Sequence, residues 1–337
     1  MQRLPVITIG LVLGLLAGIP GTEQSIHRNA AAAAAAETLR IGLSLQPSNA
    51  LVMVALDRGF LGDEGLRVSV EKYASGTRAL RNGLFAGKVD VTTASDVPVV
   101  LSRFERQDFS VVATIFQVDN QNRLIARADM GIRKPADLKG KRIATQRGSA
   151  VHFFLHLFLL EHGISEDEIR LSFINAADLP AALARGEIDA FSMREPYIGQ
   201  ARAALGDNAE VFAAPGLYSQ SDQIVVTNSL LNARPQAVRK LLRALVRAER
   251  YVNENAEGAQ QIVARFLGTS PDEISAIWPE FVPRVSLEQS LLLRLEDIGR
   301  WAVRRRLANA RQMPNFLKLI HFGALQAVKP VSITVVR

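Results

Sequence analysis

The sequence predicts an α/β protein with two similar lobes. From Thr38 onward, segments with the pattern of strands alternate with segments of helical length, and the same alternation returns after Asp129. Strands joined by helices form βαβ units, which build parallel sheets with helices on both faces. A chain of 337 residues is long enough for two lobes, each with its own core.

The first stretch predicts four strands with helices between them. The strands are LRIGLS, LRVSVEKY, VDVTTAS and FSVVATIF, and the helices cover Asn49–Phe60, Gly76–Phe85 and Asp96–Glu105. These elements together predict one sheet covered by helices.

The second stretch repeats this order. RIATQ, LSFIN and IDAFSM predict strands, and Ala150–His162, Asp178–Arg185 and Pro196–Leu205 predict helices. Two segments are also similar in sequence, ALRNGLFAGKVDVTTASD from Ala79 and LPAALARGEIDAFSMREP from Leu179. In each, a helix ends at a glycine and a strand opens on Val-Asp or Ile-Asp, which favours two related lobes. A further strand, QIVVTN, leads into a helical tail that runs to about Phe322.

One strand-to-helix turn is a candidate ligand site. In DLKGKRIATQRGS, the strand Arg142–Thr145 runs into Gly148 and Ser149, and an apolar helix follows. Gly148 lets the backbone turn tightly, and Ser149 can cap the helix. The first-turn N–H groups then point out of the turn, where such groups bind anions or polar ligands.

The N-terminal residues predict export. Residues 4–19, LPVITIGLVLGLLAGI, form an apolar run behind Arg3 that is short for a membrane span and fits a secretory signal. The small residues Ala30–Ala36 offer a cleavage site before Glu37, and an uncleaved anchor is the alternative. The sequence has no cysteine, so neither a disulfide nor a lipid-modified cysteine can form. We therefore expect a soluble periplasmic protein that is not a lipoprotein.

The net charge of +7 does not indicate a nucleic-acid partner. The basic residues concentrate late, in Arg239–Arg250 and Arg304–Arg306, at helical spacing among Leu, Ala and Val. This spacing is typical of the solvated outer faces of amphipathic helices. No nucleic-acid motif of defined spacing occurs in the sequence.

Four ordered blocks carry a resemblance to a known family. GFLGDEGLRVSVEKYASGT, LFAGKVDVTTAS, IRKPADLKGKRIATQRGS and AALARGEIDAFSMREPY resemble the periplasmic solute-binding proteins of ATP-driven (ABC) importers. Within these, the chain is most similar to the aliphatic sulfonate, nitrate and taurine group, whose fold thiamine-precursor-binding proteins share. The resemblance covers Leu39–Ser229. It implies the type II Venus-flytrap fold, in which each lobe is a mostly parallel sheet flanked by helices.

The resemblance also implies how the chain is divided. Residues 1–36 are the signal peptide and cleavage region, residues 37–120 with 222–337 form the first lobe and its helical tail, and residues 121–221 form the second lobe. The chain crosses between the lobes near Phe116–Arg123 and Leu217–Gln223.

By the same resemblance, the protein is the substrate-binding component of an ABC importer. It captures a small anionic or polar solute, an aliphatic sulfonate or a nitrate- or taurine-like anion, and delivers it to a permease and ATPase complex. It works as a monomer without a cofactor or a metal. The alternatives are a binding protein for a pyrimidine precursor of the thiamine pathway or for an aromatic compound, and a sensory binding module.

The candidate site follows from a rule for open parallel sheets. Ligands bind beyond the carboxyl ends of the strands, where helix N-termini converge. Small polar residues there offer N–H and hydroxyl groups that suit a sulfonate, a carboxylate or nitrate. The predicted ligand-binding residues are Gln46, Ser48, Asn49, Ser75, Gly76, Thr77, Ser95, Asp96, Gln117, Gly148, Ser149, Ala150, Arg194 and Glu195. Each of the serines at a helix start could instead be only a cap.

Arg194 and Glu195 differ from the family pattern, which often has an aromatic residue before the acidic or polar residue and the proline. An inward Arg194 would bind a carboxylate or sulfonate bidentately, and Glu195 could receive an amine or a hydroxyl. An outward Arg194 would be a surface charge without a role in recognition.

Two other readings of the sequence are less favoured. His152 and His156 share one helical face, but no carboxylate lies between them, so we interpret them as core or interface histidines and not as a metal pair. Pyrimidine-forming proteins of the same fold depend on a cysteine-rich motif, which this chain lacks. The sequence also contains no Gly-x-Ser-x-Gly elbow and no phosphate loop. We therefore predict a binding protein and not an enzyme.

Overall fold

Eleven strands form two sheets in the computed structural model, which describes residues 37–309 and 312–336. The predicted signal segment, residues 1–36, lies outside the described residues. The strands are β1 (Glu37–Ser44), β2 (Leu66–Tyr73), β3 (Val91–Ser95), β4 (Phe109–Val118), β5 (Arg123–Arg127), β6 (Arg142–Thr145), β7 (Arg170–Phe173), β8 (Ala190–Met193), β9 (Ala209–Ala213), β10 (Gln220–Thr227) and β11 (Val282–Ser286).

Helices connect and cover these strands. The α-helices are α1 (Ala50–Asp57), α2 (Phe60–Asp63), α3 (Gly76–Arg78), α4 (Asp96–Glu105), α5 (Ala150–Glu161), α6 (Leu179–Ala184), α7 (Tyr197–Leu205), α8 (Asn228–Ala233), α9 (Pro235–Glu254), α10 (Ala256–Leu267), α11 (Pro271–Ile277), α12 (Gln289–Arg304) and α13 (Phe322–Gln326). A π-helical turn, Ala79–Leu84, directly follows α3.

The first sheet has the order β11-β4-β10-β3-β1-β2, and the second has the order β7-β6-β8-β5-β9. Almost every residue of β4 and β10 is buried, as expected for central strands with covered faces. The chain passes between the sheets at residues 119–122 and 214–219. The lobe boundaries themselves stay a prediction, because residues 38–337 form one compact unit.

Both sheets are mixed, whereas the sequence predicted mostly parallel ones. β1 is parallel to β3, and β6 is parallel to β7 and β8. In contrast, β10 is antiparallel to β3 and β4, and β5 is antiparallel to β8 and β9. The chain enters β5 and β10 directly after crossing from the other sheet, so both strands start at the edge where the strands of the βαβ units end. Entry from that edge reverses their direction.

Each sheet has an arginine–aspartate contact near the start of its parallel strands, and the two contacts have the same geometry. Arg40 donates to Asp90 from its backbone N, Nε and Nη2, at 3.0, 3.2 and 2.8 Å. Arg142 donates to Asp189 from the same three groups, at 2.8, 3.2 and 2.6 Å. We call these contacts the two clasps. Because both aspartates follow the glycine of the repeated sequence segments, the repeat in sequence is also a repeat in structure.

The tail after β10 is not wholly helical. β11 lies within it and pairs antiparallel with β4, with Val282 opposite Gln117. Two of the basic residues of α9, which were predicted to face solvent, are 43% and 39% exposed and also form ion pairs with acidic residues at the end of α2. Arg243 donates to Glu64 at 2.7 Å, and Arg247 donates to Asp63 at 2.8 Å. These pairs fix α9 against the α1–α2 region.

A buried carboxylate, Glu166, joins the second-sheet region to the tail. Its side chain is 1% exposed. His156 Nδ1 lies 2.8 Å from Oε1, and on the other oxygen His152 Nε2 and Arg305 Nε lie at 3.4 and 3.1 Å from Oε2. Trp301 donates from Nε1 to Oε1 at 3.4 Å. We call these five residues the Glu166 cluster.

The Glu166 cluster confirms one prediction and corrects another. His152 is buried and both histidines pack in an interface, as predicted. Arg305 was predicted on a solvated helix face, and it instead reaches inward to the carboxylate. Burial alone would raise the pKa of Glu166, but the contacts from His152 and His156 and the charge of Arg305 hold it well below its usual range.

Within residues 37–309 and 312–336, no helix combines the length and the apolar character that crossing a membrane requires.

Candidate ligand-binding site

A cavity of about 480 Å³ lies between the two sheets, at the carboxyl ends of their parallel strands. Its volume is within the range that small-molecule sites occupy. The turns after β1, β2 and β3 line it from the first sheet, and the turns after β6 and β8 line it from the second. It therefore lies where the rule for open sheets places a ligand.

Most of the predicted residues line this cavity, namely Gln46, Ser75, Gly76, Thr77, Ser95, Gly148, Ser149, Ala150 and Arg194. Ser48 and Glu195 line a neighbouring cavity of about 320 Å³, which shares Gln46 and Arg194 with the first. The two cavities are therefore adjacent.

Three predicted residues, Asn49, Gln117 and Asp96, lie outside both cavities, and each forms hydrogen bonds with other groups of the protein. Asn49 donates to the backbone and side-chain oxygens of Ser44, both at 2.8 Å. Gln117 donates to Glu288 at 3.3 Å. Asp96 is completely buried and accepts from the Tyr218 hydroxyl at 2.6 Å. These three residues therefore line neither cavity in this structure.

Asp96 lies at the centre of a buried network. It also accepts from the backbone N–H of Val97 and Ser221, at 2.9 and 3.2 Å, and Arg294 Nε lies 3.2 Å away. Burial raises the pKa of Asp96, although the Arg294 charge and the hydrogen bonds oppose the rise. Because its oxygens are already occupied, Asp96 has little capacity left for a ligand.

In the second sheet, the turn before α5 presents backbone donors. Gly148 has φ of 63°, a left-handed conformation that glycine adopts without strain. The Ser149 hydroxyl donates to the Gln146 carbonyl at 2.6 Å and accepts from the His152 N–H at 3.4 Å. This hydroxyl is thus a helix cap. The Gly148 N–H donates to His152 Nδ1 at 3.2 Å, so the N–H groups of Ser149 and Ala150, both of which line the cavity, are the backbone donors of this turn that remain for a ligand.

In the first sheet, hydroxyl groups face the cavity. Ser75 caps α3 by accepting from the Arg78 N–H at 3.3 Å, which leaves its own proton to donate. A Cβ at Gly76 would lie 2.8 Å from the Ala94 Cα, so glycine is what lets this turn lie against β3. The close packing brings Thr77 to the cavity, on the same wall as Ser95.

Arg194 points into the cavity, as an anion-binding role requires. It lines both cavities and is half-buried. Burial lowers the pKa of Arg194, and the nearby charge of Asp222 opposes this change. Guanidinium pKa values are so high that the side chain stays charged. The cavity therefore contains a fixed positive charge.

Asp222 is a charged cavity residue that the sequence did not predict. It lies in β10 opposite Ser95, is 1% exposed and lines the cavity. Its Oδ2 accepts a short hydrogen bond from the Ser48 hydroxyl. The sequence has one signal for this position. Asp222 is an acidic residue near the start of a strand that follows a crossing between the lobes, and the first residues of such a strand lie beside the carboxyl ends of its neighbours.

A ligand cavity between two mixed sheets, with the chain crossing twice between them, defines the class as a two-lobed periplasmic-binding-protein fold. Within this class, the chain belongs to the NMT1/THI5-like family, which matches residues 46–259.

Relatives in sequence are binding proteins. The taurine-binding periplasmic protein of Escherichia coli (strain K12) is 25% identical over 220 residues, which are 64% of this chain and 67% of the relative. A binding protein of Brucella abortus (strain 2308) is 23% identical over 220 residues, with the same shares of both chains.

Solved structures share the fold. The alkanesulfonate-binding protein SsuA of Xanthomonas axonopodis pv. citri, bound to MOPS, has a TM-score of 0.69 at 21% identity, covering 90% of this chain and 100% of its own. The periplasmic aliphatic sulphonate binding protein SsuA of Escherichia coli has a TM-score of 0.72 at 19% identity, covering 87% and 98%. The desulfurization enzyme DSZB has a TM-score of 0.63 at 19% identity, covering 88% and 99%. At these identities, the likeness shows the fold alone.

Proposed function

We propose that the protein is the substrate-binding component of an ABC importer and that it captures a small sulfonate in the cavity between the two sheets. The observation that carries this proposal is Arg194, a charged guanidinium that faces the cavity and makes no hydrogen bond or ion pair with any other described residue. An unpaired charge at such a site is costly unless a ligand of opposite charge completes it.

The groups around Arg194 support an anion with several acceptor oxygens. The guanidinium can donate two parallel hydrogen bonds to one acid group. Ser75, Thr77 and Ser95 line the cavity from the first sheet, and Ser149 and Ala150, at the start of α5, line it from the second. A sulfonate has three acceptor oxygens, so donors from both sheets could bind it at once and draw the sheets together.

The partners and location are part of the same proposal. We infer delivery of the solute to a permease and ATPase complex, with the protein acting as a monomer exported under the direction of residues 4–19. The names of the relatives support this, since the Escherichia coli relative is a periplasmic protein. N-terminal sequencing of protein from the periplasmic fraction tests the export, and an N-terminus at Met1 would contradict it.

We propose binding and not catalysis, although DSZB shows that one enzyme shares the fold. The chain contains no cysteine, so a thiol nucleophile is not available. The hydroxyls that line the cavity have no histidine beside them among the described lining residues to activate them as nucleophiles.

A ligand screen tests the proposed function. Thermal unfolding of the purified protein is expected to shift upward with ethanesulfonate, because a ligand that binds only the folded state stabilises it. Ethyl methyl sulfone is the matched control, since it has a similar shape without the charge. An upward shift with aromatic or pyrimidine compounds and none with small sulfonates, nitrate or carboxylates would overturn the proposal in favour of the heterocycle-binding alternative.

Replacing Gly148 with valine is expected to lower the affinity for ethanesulfonate at least tenfold. A β-branched residue is strained at φ of 63°, and its Cβ would lie 3.1 Å from Leu101 Cδ1 at the cavity wall. Ser149→Ala is the matched control. It should cost about 1 kcal/mol of stability through the lost cap but keep the affinity within about threefold, because the backbone donors remain. Calorimetry and urea unfolding of both variants measure these effects, and equal affinities would contradict the site.

A further inference from the structure

The imidazole of His152 connects the turn before α5, which lines the cavity, to the Glu166 cluster. Its Nδ1 accepts the hydrogen bond from the Gly148 N–H at 3.2 Å, and its Nε2 lies 3.4 Å from Glu166 Oε2. The side chain is 2% exposed and does not line the cavity. His152 therefore lies directly behind the cavity wall, between a turn that faces the cavity and a buried carboxylate.

The two neighbours of the imidazole require a single protonation state. A backbone N–H can only donate, so Nδ1 must carry a lone pair. The pKa of Glu166 lies well below its usual range, so near neutral pH its carboxylate is ionised and can only accept. The ring proton must then be on Nε2, where the N–H faces the carboxylate. This second contact lacks the alignment of a hydrogen bond and is electrostatic.

Aromatic side chains fix the plane of the His152 ring. Trp301 and Phe173 pack against it at steep angles, 77° and 70°, with ring centroids 4.9 and 5.1 Å away. Trp301 belongs to α12, and Phe173 is the last residue of β7. Rotating the imidazole would disturb both contacts in a packed interior, so Nδ1 stays directed at Gly148.

The hydrogen bond to Nδ1 acts on the least constrained residue of the turn. Gly148 has φ of 63°, and a glycine can leave such a conformation at little cost. The imidazole fixes the peptide group that carries the Gly148 N–H, and the orientation of the next two N–H groups, of Ser149 and Ala150, follows from it. These two donors are thus arranged before a ligand arrives. A site arranged in advance binds more tightly, because little ordering cost remains.

We propose that His152 is a positioning residue for ligand capture, which holds the turn before α5 through Nδ1 in the arrangement that binds the acid group of the ligand. This inference rests on the proposed function and deepens it, because it assigns part of the affinity to a side chain that does not line the cavity. It also links the Glu166 cluster to recognition, since the carboxylate favours the tautomer in which Nδ1 can accept.

Two substitutions separate the two ends of the imidazole. His152→Asn keeps an acceptor near the position of Nδ1 but no group near Glu166, whereas His152→Gln keeps an amide donor near the position of Nε2 but loses the acceptor for Gly148. In calorimetry with ethanesulfonate, His152→Gln is expected to bind about tenfold more weakly than the parent protein. His152→Asn should restore the affinity to within about threefold of the parent value.

The thermal stability of the two variants should rank the other way. Glutamine is the better helix former, and it keeps the contact with Glu166, so His152→Gln should unfold at a higher temperature than His152→Asn. A purely structural role would make the affinity follow the stability, and both measurements would then favour His152→Gln.

His156→Gln is the matched control. His156 also contacts Glu166, at 2.8 Å, but it lies one helical turn farther along α5 and does not line the cavity. Its variant should therefore keep the affinity for ethanesulfonate within about threefold of the parent value while losing stability.

A measurement on the parent protein does not depend on any variant folding. In NMR spectra of nitrogen-labelled protein at neutral pH, a coupling across the N–H···N hydrogen bond should connect the Gly148 amide to His152 Nδ1. The ring should be the neutral tautomer with its proton on Nε2, both with and without ethanesulfonate. A proton on Nδ1 would overturn the proposal.

The outcomes separate the positioning role from the proposed function. Equal affinities of the two His152 variants, or tighter binding by His152→Gln, overturn the positioning role and leave the proposed function intact. If the parent protein binds neither ethanesulfonate nor another small anion, the proposed function itself fails, and the positioning role fails with it.

Discussion

Replacing Arg194 with alanine is expected to weaken the binding of small sulfonates about a hundredfold, the largest effect of any single substitution in the cavity. The guanidinium is a fixed positive charge at the cavity, and none of the residues that the structure describes forms a hydrogen bond or an ion pair with it. A hydrogen bond to a charged group contributes about 1.5–3 kcal/mol, and about 2.8 kcal/mol corresponds to a hundredfold change in Kd. Calorimetry with ethanesulfonate or 2-aminoethanesulfonate at fixed salt measures the loss.

Two variants control for this result. Arg194→Lys keeps the charge but cannot donate two parallel hydrogen bonds, so its affinity should lie between those of the parent and the alanine variant. Arg81→Ala removes a positive charge from the cavity rim, where the side chain is 65% exposed. Its effect should be under about threefold and should disappear in high salt, because exposed charges are screened. Equal losses in Arg81→Ala and Arg194→Ala would show that only the general positive field matters.

Replacing Glu166 with glutamine is expected to destabilise the protein by about 1.5–3 kcal/mol, because a buried amide replaces the charged acceptor of His156 and Arg305 and leaves the part-buried Arg305 with only the exposed Asp167. Asp167→Asn is the matched control. Asp167 also contacts Arg305, at 3.3 Å, but is 82% exposed, so its loss should cost less than about 1 kcal/mol. Urea unfolding measures both. Equal stability of the two variants would contradict a structural role for the Glu166 cluster.

The same cluster gives the parent protein a defined acid sensitivity. The pKa of Glu166 is lowered on folding, so its stabilising contribution is complete above the unfolded value of about 4.5 and declines as the pH falls toward the folded value. Unfolding curves below about pH 4.5 should therefore fall more steeply with acid in the parent than in Glu166→Gln. Parallel curves would contradict this linkage.

The sequence predicted elements well where local signals agree. At 142–150, an apolar strand, a glycine with positive φ and a capping serine all indicate one strand-turn-helix unit, and the structure has β6, Gly148 and α5 in that order. The local signal did not distinguish a capping serine from a ligand-binding one. That depends on the Gln146 carbonyl, whose position is set by the turn after folding.

Features that depend on distant partners were missed. β11 is a short segment, VPRVS, between helices, and it is a strand because β4 offers it an edge. Arg305 has the spacing of a solvated face, and only the packing of α12 against the second-sheet region brings it to Glu166. The local pattern predicts only that Asp222 belongs to a core strand. It reaches the cavity because β10 runs antiparallel to its neighbours, which is a property of the topology and not of the local pattern.

The two clasps lie at the opposite end of the parallel strands from the proposed ligand site. The amino ends of the parallel strands are joined by Arg40 with Asp90 and by Arg142 with Asp189. The turns that line the cavity follow the opposite, carboxyl ends of the strands. Substitutions in the turns can therefore alter recognition without loosening the strand starts. This arrangement makes the chain a scaffold on which selection, or an engineer, can exchange one specificity for another at small cost in folding.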